Sequence, residues 1–360
     1  MSRKHPNRHW YQSPGLWWPL GVILSLVIVV PLVFNVSPWP GALIIRSIFS
    51  NSAQKLVAVM APYAPTSGVD SVLNIAYQPS NAKTQLDVYY PTGTTKPLGT
   101  VVWTHGGAWI SGDKANDRSY FQILASHGYT VVGLDYGYGP EAKYPTAVFQ
   151  INDALNFVVA NAAKYHVDPS RIVMAGDSAG AQLTSQLAAL TTNASYADQL
   201  KITPALKPEQ LRGVVLNCGV YDMSAMINSP NQMQAIQTYS NSEAAMEKIL
   251  TWGDTTALWA YTGDRNLGSS VSIEQMSTIN FVTKNFPATY ISGGNADPLT
   301  AHQSIPMAAK LTALGVSVDS LFWPDNYTPP LPHEYQFHLN LDAAQTALTR
   351  TLEFLAARLG

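Results

Sequence analysis

Between the apolar run Arg171-Ile172-Val173-Met174-Ala175 and a helix-patterned stretch from Ala179 to Leu190, the chain reads Gly176-Asp177-Ser178-Ala179-Gly180. A G-x-S-x-G pentapeptide in that setting asks for a tight strand-to-helix turn. The serine there holds unusual backbone angles, and small neighbours keep the turn free of clashes. The turn lifts Ser178 Oγ above the strand end, where the helix N-terminus offers free N–H groups and positive dipole. A strand that feeds a helix this way belongs to an α/β architecture. Ser178 is therefore the candidate nucleophile, with Asp177 supporting the turn.

The flanking pattern agrees. Leu86 to Tyr90, Thr100 to Thr104, Thr130 to Asp135, Arg171 to Ala175, Gly213 to Leu216, Ala288 to Ser292 and Val316 to Phe322 read as short apolar strands. Helical stretches at Ser119 to His127, Ala147 to Tyr165, Ala179 to Leu190 and Thr346 to Leu359 lie among them. Such alternation predicts a mostly parallel sheet covered on both faces, mixed or antiparallel at its start. Residues 222–286 break the alternation with a polar, Met-, Asn- and Gln-rich helical stretch, expected to cap the strand ends where open α/β sheets bind ligands. Ala42 to Ser67 reads as a helix bridging to the domain, one that could also lie on the membrane or on the active-site mouth.

After the strand Thr100 to Thr104 comes His105-Gly106-Gly107-Ala108-Trp109. Glycine amides can approach a developing oxyanion closely, so Gly106 and Gly107 are the expected donors, joined by the N–H of Ala179. His105 is expected to fix the loop, and Trp109 to line the acyl pocket or pack beside it. A triad acid and base should follow the serine in that order. Asp297 stands just past the strand Ala288 to Ser292, after Gly293-Gly294-Asn295-Ala296, with Asp319 and Asp325 as rivals. For the base, His333 is favoured over His338, and His302 lies only five residues beyond Asp297. The eight histidines show no metal-ligand spacing, and neither metal nor cofactor is expected.

Taken together, His105 to Trp109, Asp135-Tyr136 with Gly139-Pro140-Glu141, and Asp168-Pro169-Ser170-Arg171-Ile172 leading into Gly176 to Gly180 resemble the hormone-sensitive-lipase-like carboxylesterases and the BD-FAE-type esterases of the α/β-hydrolase superfamily. Acetyl-xylan and feruloyl esterases and arylformamidases are similar too. The resemblance covers roughly Leu86 to Leu359. It implies an α/β-hydrolase fold and hydrolysis of a small-molecule ester through an acyl-enzyme. Amide or formamide hydrolysis on the same triad is the alternative, and a silent binding module a remote one. It also implies that Asp297, followed by Pro298, is the acid and that Glu141 supports the site. Two departures stand out: Ala108 replaces a third glycine, and Glu334-Tyr335-Gln336-Phe337 lengthens the usual His-to-Phe spacing.

The N-terminus carries a separate signal. Leu16 to Phe34 holds no charge, and Arg3, Lys4 and Arg8 precede it without any acidic residue. A run of about 18 or more apolar residues can cross a bilayer. Trp10, Tyr11, Trp17 and Trp18 at one end and Trp39 at the other suit its interfaces. The expectation is a basic cytoplasmic start at 1–15, a single-pass anchor at 16–36, a linker with first strands at 37–85, and a catalytic domain at 86–360 outside the cytoplasm. A cleaved signal peptide competes, but Asn35-Val36-Ser37-Pro38-Trp39-Pro40 makes a poor cleavage site. A net charge of -2 without Lys/Arg runs excludes a nucleic-acid footprint. The lone cysteine, Cys218, excludes an intramolecular disulfide and reads as a core thiol. Oligomeric state is not legible.

Overall fold

A computed structural model describes residue 29 and residues 31–228 and 244–360. Eight strands form one sheet: β1 (Val69–Ala76), β2 (Gln85–Pro91), β3 (Leu98–Thr104), β4 (Thr130–Leu134), β5 (Val167–Asp177), β6 (Leu211–Asn217), β7 (Thr289–Gly293) and β8 (Val318–Phe322). Their spatial order is β1-β2-β4-β3-β5-β6-β7-β8. β2 runs antiparallel to both β1 and β4, and every pairing from β4 to β8 is parallel. The mixed start expected from the sequence is thus one reversed strand near an edge. β1 falls in the region 37–85 where first strands are expected but without bounds, because as an edge strand it is mostly exposed and lacks the apolar alternation of a covered strand.

The seven helices that matter to the site are α1 (Trp39–Met60), α2 (Arg118–Ser126), α3 (Thr146–Ala160), α4 (Ala179–Thr192), α5 (Ala244–Thr262), α6 (Ile305–Ala313) and α7 (Asp342–Leu359). Strand side chains alternate between two cores, as the period of two requires. Val102, Val132, Met174 and Val214 join α3, α4 and α6 on one face. Val101, Trp103, Val131, Val173 and Val215 join α2 and α7 on the other. Helix α3 stops at Ala160, five residues before the apolar pattern does, because Asn161 leaves helical geometry and its side chain bonds back to Phe157 O.

Two further elements lie over the C-terminal ends of the strands. α1 packs on α5, with Ala42, Ile45, Ala257 and Ala260 sharing a small core with Ile110. A Cβ on Gly41 would come within 2.7 Å of Thr256, so the two helices touch at a residue with no side chain. The expected cap at 222–286 thus shares its position with the linker helix, while residues 229–243 within it lie outside the described part. The expected anchor at 16–36 also lies outside, apart from residue 29 and the helical residues 31–36. Among the described residues, no helix is long and apolar enough to cross a membrane.

Candidate active site

Ser178 sits between β5 and α4 with φ 52° and ψ -122°, a conformation costly for any residue with a Cβ. Close packing imposes it. A Cβ on Gly180 would stand 2.0 Å from Thr104 O and 2.5 Å from His105 O, and one on Gly176 would meet Gly180 at 2.6 Å. The Ser178 amide donates to Asn217 O at the end of β6 (2.9 Å). Its hydroxyl is left for chemistry.

His333 Nε2 lies 2.9 Å from Ser178 Oγ, and His333 Nδ1 lies 2.9 Å from Asp297 Oδ2. A carboxylate only accepts, so Nδ1 carries the proton and the Nε2 lone pair faces the serine hydroxyl. Asp297 is buried, and its other oxygen accepts from the Leu299 amide (3.0 Å). Burial opposes a charged His333, but the charge and hydrogen bond of Asp297 outweigh it and raise the imidazole well above its ordinary value. His302 and His338 make no hydrogen bond to Ser178 among the described residues. Asp319 is engaged by Arg350, and Asp325 lies in the loop after β8.

Asn295 explains how residues so far apart in sequence meet. Its amide group donates to Tyr327 O (3.0 Å), and its carbonyl accepts from the Leu331 amide (2.9 Å). The Ala296 amide donates to Leu331 O (3.0 Å). These bonds staple the Asp297 loop to the proline-rich segment that delivers His333. Asn295 carries no motif signature of its own, and sequence reasoning passed over it.

The oxyanion loop brings one correction. The Gly106 amide donates to Asp177 Oδ2 (2.8 Å), so it is not free to stabilise an oxyanion. Asp177 also accepts from Trp103 Nε1 (2.8 Å), and burial pushes its carboxyl up. It ties the nucleophile turn to the donor loop. No hydrogen bond to a described residue engages the amides of Gly107, Ala108 or Ala179. Gly107 has φ 117°, and a Cβ there would stand 2.3 Å from Ser111 O. Ala108 and Trp109 follow at φ 51° and 57°, continuing a left-handed turn that exposes consecutive N–H groups. Ala108, read first as a substituted glycine, thus becomes a donor candidate in place of Gly106.

The remaining predicted residues brace this frame. The His105 ring donates from Nδ1 to Gly106 O (2.7 Å) and stacks on Tyr136 with centroids 4.5 Å apart. Trp109 donates to Gln182 Oε1 (3.0 Å), stacks on Tyr261, and lines the cavity as well. Glu141 receives a two-pronged ion pair from Arg46 of α1 (2.8 and 2.7 Å). Arg46 also donates to Ile110 O and Gly139 O, which fastens α1 beside the donor loop. Nothing in the linker pattern had marked Arg46, because its partners come from loops about 64 and 95 residues away.

A cavity of about 350 Å3 opens over Ser178. Phe49 and Leu56 of α1, Leu258 of α5, Val220, Met226 and Leu299 supply apolar wall. Glu334 stands beside the base, 4.0 Å from His333 Nε2, and burial pushes its carboxyl up to about 7. Cys218, Asp297 and His333 place potential ligand atoms within 4.8 Å of one another. Asp297 and His333 are hydrogen-bonded to each other, and burial raises the Cys218 thiol.

Comparison with known proteins fits this architecture. The family model BD-FAE matches residues 86–311, more than half of the chain. An α/β hydrolase of Acanthamoeba polyphaga mimivirus is 29% identical over 163 residues, 45% of this chain but only 42% of that protein. The versiconal hemiacetal acetate esterase of Dothistroma septosporum is 25% identical over 300 residues, 81% of this chain and 80% of that enzyme. Among solved structures, esterase B from Lactobacillus rhamnosis superposes with a TM-score of 0.69 at 22% identity, covering 88% of this chain and 97% of that one. The chain has the α/β-hydrolase fold and belongs to the BD-FAE family.

Proposed function

We propose that this chain is a serine hydrolase that cleaves carboxylic esters through an acyl-enzyme, held at a membrane by its N-terminal apolar segment. One observation carries the chemistry: Ser178 Oγ, both nitrogens of His333 and Asp297 Oδ2 stand in a line of 2.9 Å contacts at the floor of a cavity. In this mechanism Nε2 takes the Ser178 proton as Oγ attacks the ester carbonyl, and Asp297 stabilises the imidazolium. The carbonyl oxygen gains negative charge and is met by the amides of Gly107, Ala108 and Ala179. His333 then returns the proton to the departing alcohol. Water, activated by the same base, releases the acid. The esterase names among the relatives favour esters over amides.

Support for the membrane reading comes from the uncharged stretch Leu16 to Phe34 after three basic residues. By the positive-inside rule the catalytic domain then lies outside the cytoplasm. Trp39, Leu43, Ile44 and Ile48 of α1 extend this apolar character along an exposed face next to the cavity mouth.

A fluorophosphonate probe, with hydrolysis of p-nitrophenyl esters of rising chain length, tests the chemistry. Wild type is expected to be labelled and active, and Ser178→Ala neither. Labelling of the Ser178→Ala protein would overturn the assignment.

A further inference from the structure

Asp254 lies on α5 and lines the cavity with Ala257 and Leu258, one turn further along the helix. Its side chain is open to the cavity, and no hydrogen bond or ion pair to a described residue engages it. The other four carboxylates of the lining are used or enclosed. Asp297 holds His333, and Asp177 holds Trp103 and Gly106. Glu334 and Asp117 lie against Asp177 in a buried acidic group. No lysine or arginine lines the cavity among the described residues.

A carboxylate that lines a cavity beside apolar wall and has no protein partner is available to a charged group on a ligand. Asp254 itself is solvent-exposed, so water meets its charge in the free protein. The ion is the main form at neutral pH. A positive charge brought in by the substrate would supply the missing partner, and a negative one would be repelled by Asp254 in a cavity that no lysine or arginine lines among the described residues.

Given ester hydrolysis at Ser178, we propose that Asp254 is a specificity-determining residue that selects esters bearing a cationic group close to the scissile carbonyl. Asp254 and His333 line one cavity, so the cation belongs on the part of the substrate near the ester and not at the end of a long chain. Asp254 takes no part in proton transfer, because Asp297 already holds the Nδ1 side of His333.

Three matched thioacetates test this with the full-length chain, their alcohol-side groups ending in trimethylammonium, in the neutral tert-butyl isostere, or in a carboxylate. Wild type is expected to favour the cationic over the neutral ester by roughly tenfold or more in kcat/KM, with the anionic one lowest. Asp254→Asn should bring the cationic ester down to the neutral one and leave the neutral value nearly unchanged. Asp254→Glu should restore part of the preference. Equal wild-type rates on the cationic and neutral esters, or a uniform loss on all three in Asp254→Asn, would overturn the proposal. Active wild type with a labelled Ser178 but no charge preference removes only the role of Asp254. Absence of both labelling and turnover removes the hydrolase reading and this role with it.

Discussion

Ser178 and His333 are 155 residues apart in the chain and 2.9 Å apart in space, and their pairing sets the first pH prediction. Attack needs neutral His333, whereas Asp297 holds its imidazole well above the usual 6.5. Hydrolysis should therefore rise with pH through an apparent pKa above 6.5. Asp297→Asn should move that limb downward and cut kcat by about 10^3–10^4. A pH–rate profile with its acid limb at or below 6.5 in the wild type would contradict this. The stability contribution runs the other way: the raised imidazole stabilises the fold fully below pH 6.5 and loses that effect as pH climbs through the folded value. At the donor loop, Gly107→Ala would push a methyl group into Ser111 O at 2.3 Å. Its expected effect is a fall in kcat of about 10^2–10^3 with little change in KM, read from steady-state kinetics on one short ester. These residue types were legible because their chemistry dictates their neighbours: a serine between small residues, a histidine after the last strand. The Gly106 role was not, since the sequence shows where a glycine stands and not which way its amide points. Only the Asp177 carboxylate, 71 residues away, settles that.

Elements were readable in proportion to how fully their own residues determined them. β3 to β7 are buried on both faces, so unbroken apolar runs marked them. β1 is an exposed edge, and its form is set by pairing with β2. α1 shows the same limit at the next level: its helical pattern was legible, but not that it roofs the active site. Contacts with α5 and the loops that Arg46 grips decide its position. The Arg46–Glu141 pair is half exposed, and solvent screening keeps such a pair to about 0–1 kcal/mol. The two part-buried backbone carbonyls that Arg46 also holds add charge-assisted bonds that Glu141 does not share. Arg46→Ala is therefore expected to loosen α1 more than Glu141→Gln does. Limited proteolysis within residues 39–60 and a several-fold rise in KM for longer acyl chains should report it. Equal behaviour of the two variants would show that the ion pair, not the carbonyl clamp, fixes the helix.

At the scale of the molecule, one sheet carries every reactive group at its C-terminal edge, and one helix from outside the family-matched region closes over it. The match to the family model begins at residue 86, whereas α1 ends at Met60. The matched region holds Ser178 and Asp297 and ends before His333, and α1 lies N-terminal to it. That arrangement ties the proposed anchor to the site through a few turns of helix. Removing residues 1–36 would delete the apolar stretch and its basic flank but keep Arg46 and all cavity-lining residues of α1. Such a protein should leave the membrane fraction and still hydrolyse a water-soluble acetyl ester at close to the full-length rate, because the triad and donor loop lie entirely within the domain. Removing residues 1–66 instead strips the roof, exposing the walls formed by Val220, Met226 and Leu299, and should cost activity on longer acyl chains first. Sedimentation with membranes, paired with kcat/KM on acetyl and octanoyl esters, separates the two effects. Continued membrane association of the shorter deletion would place the attachment on the exposed Leu43, Ile44 and Ile48 face of α1, and not on the N-terminal stretch.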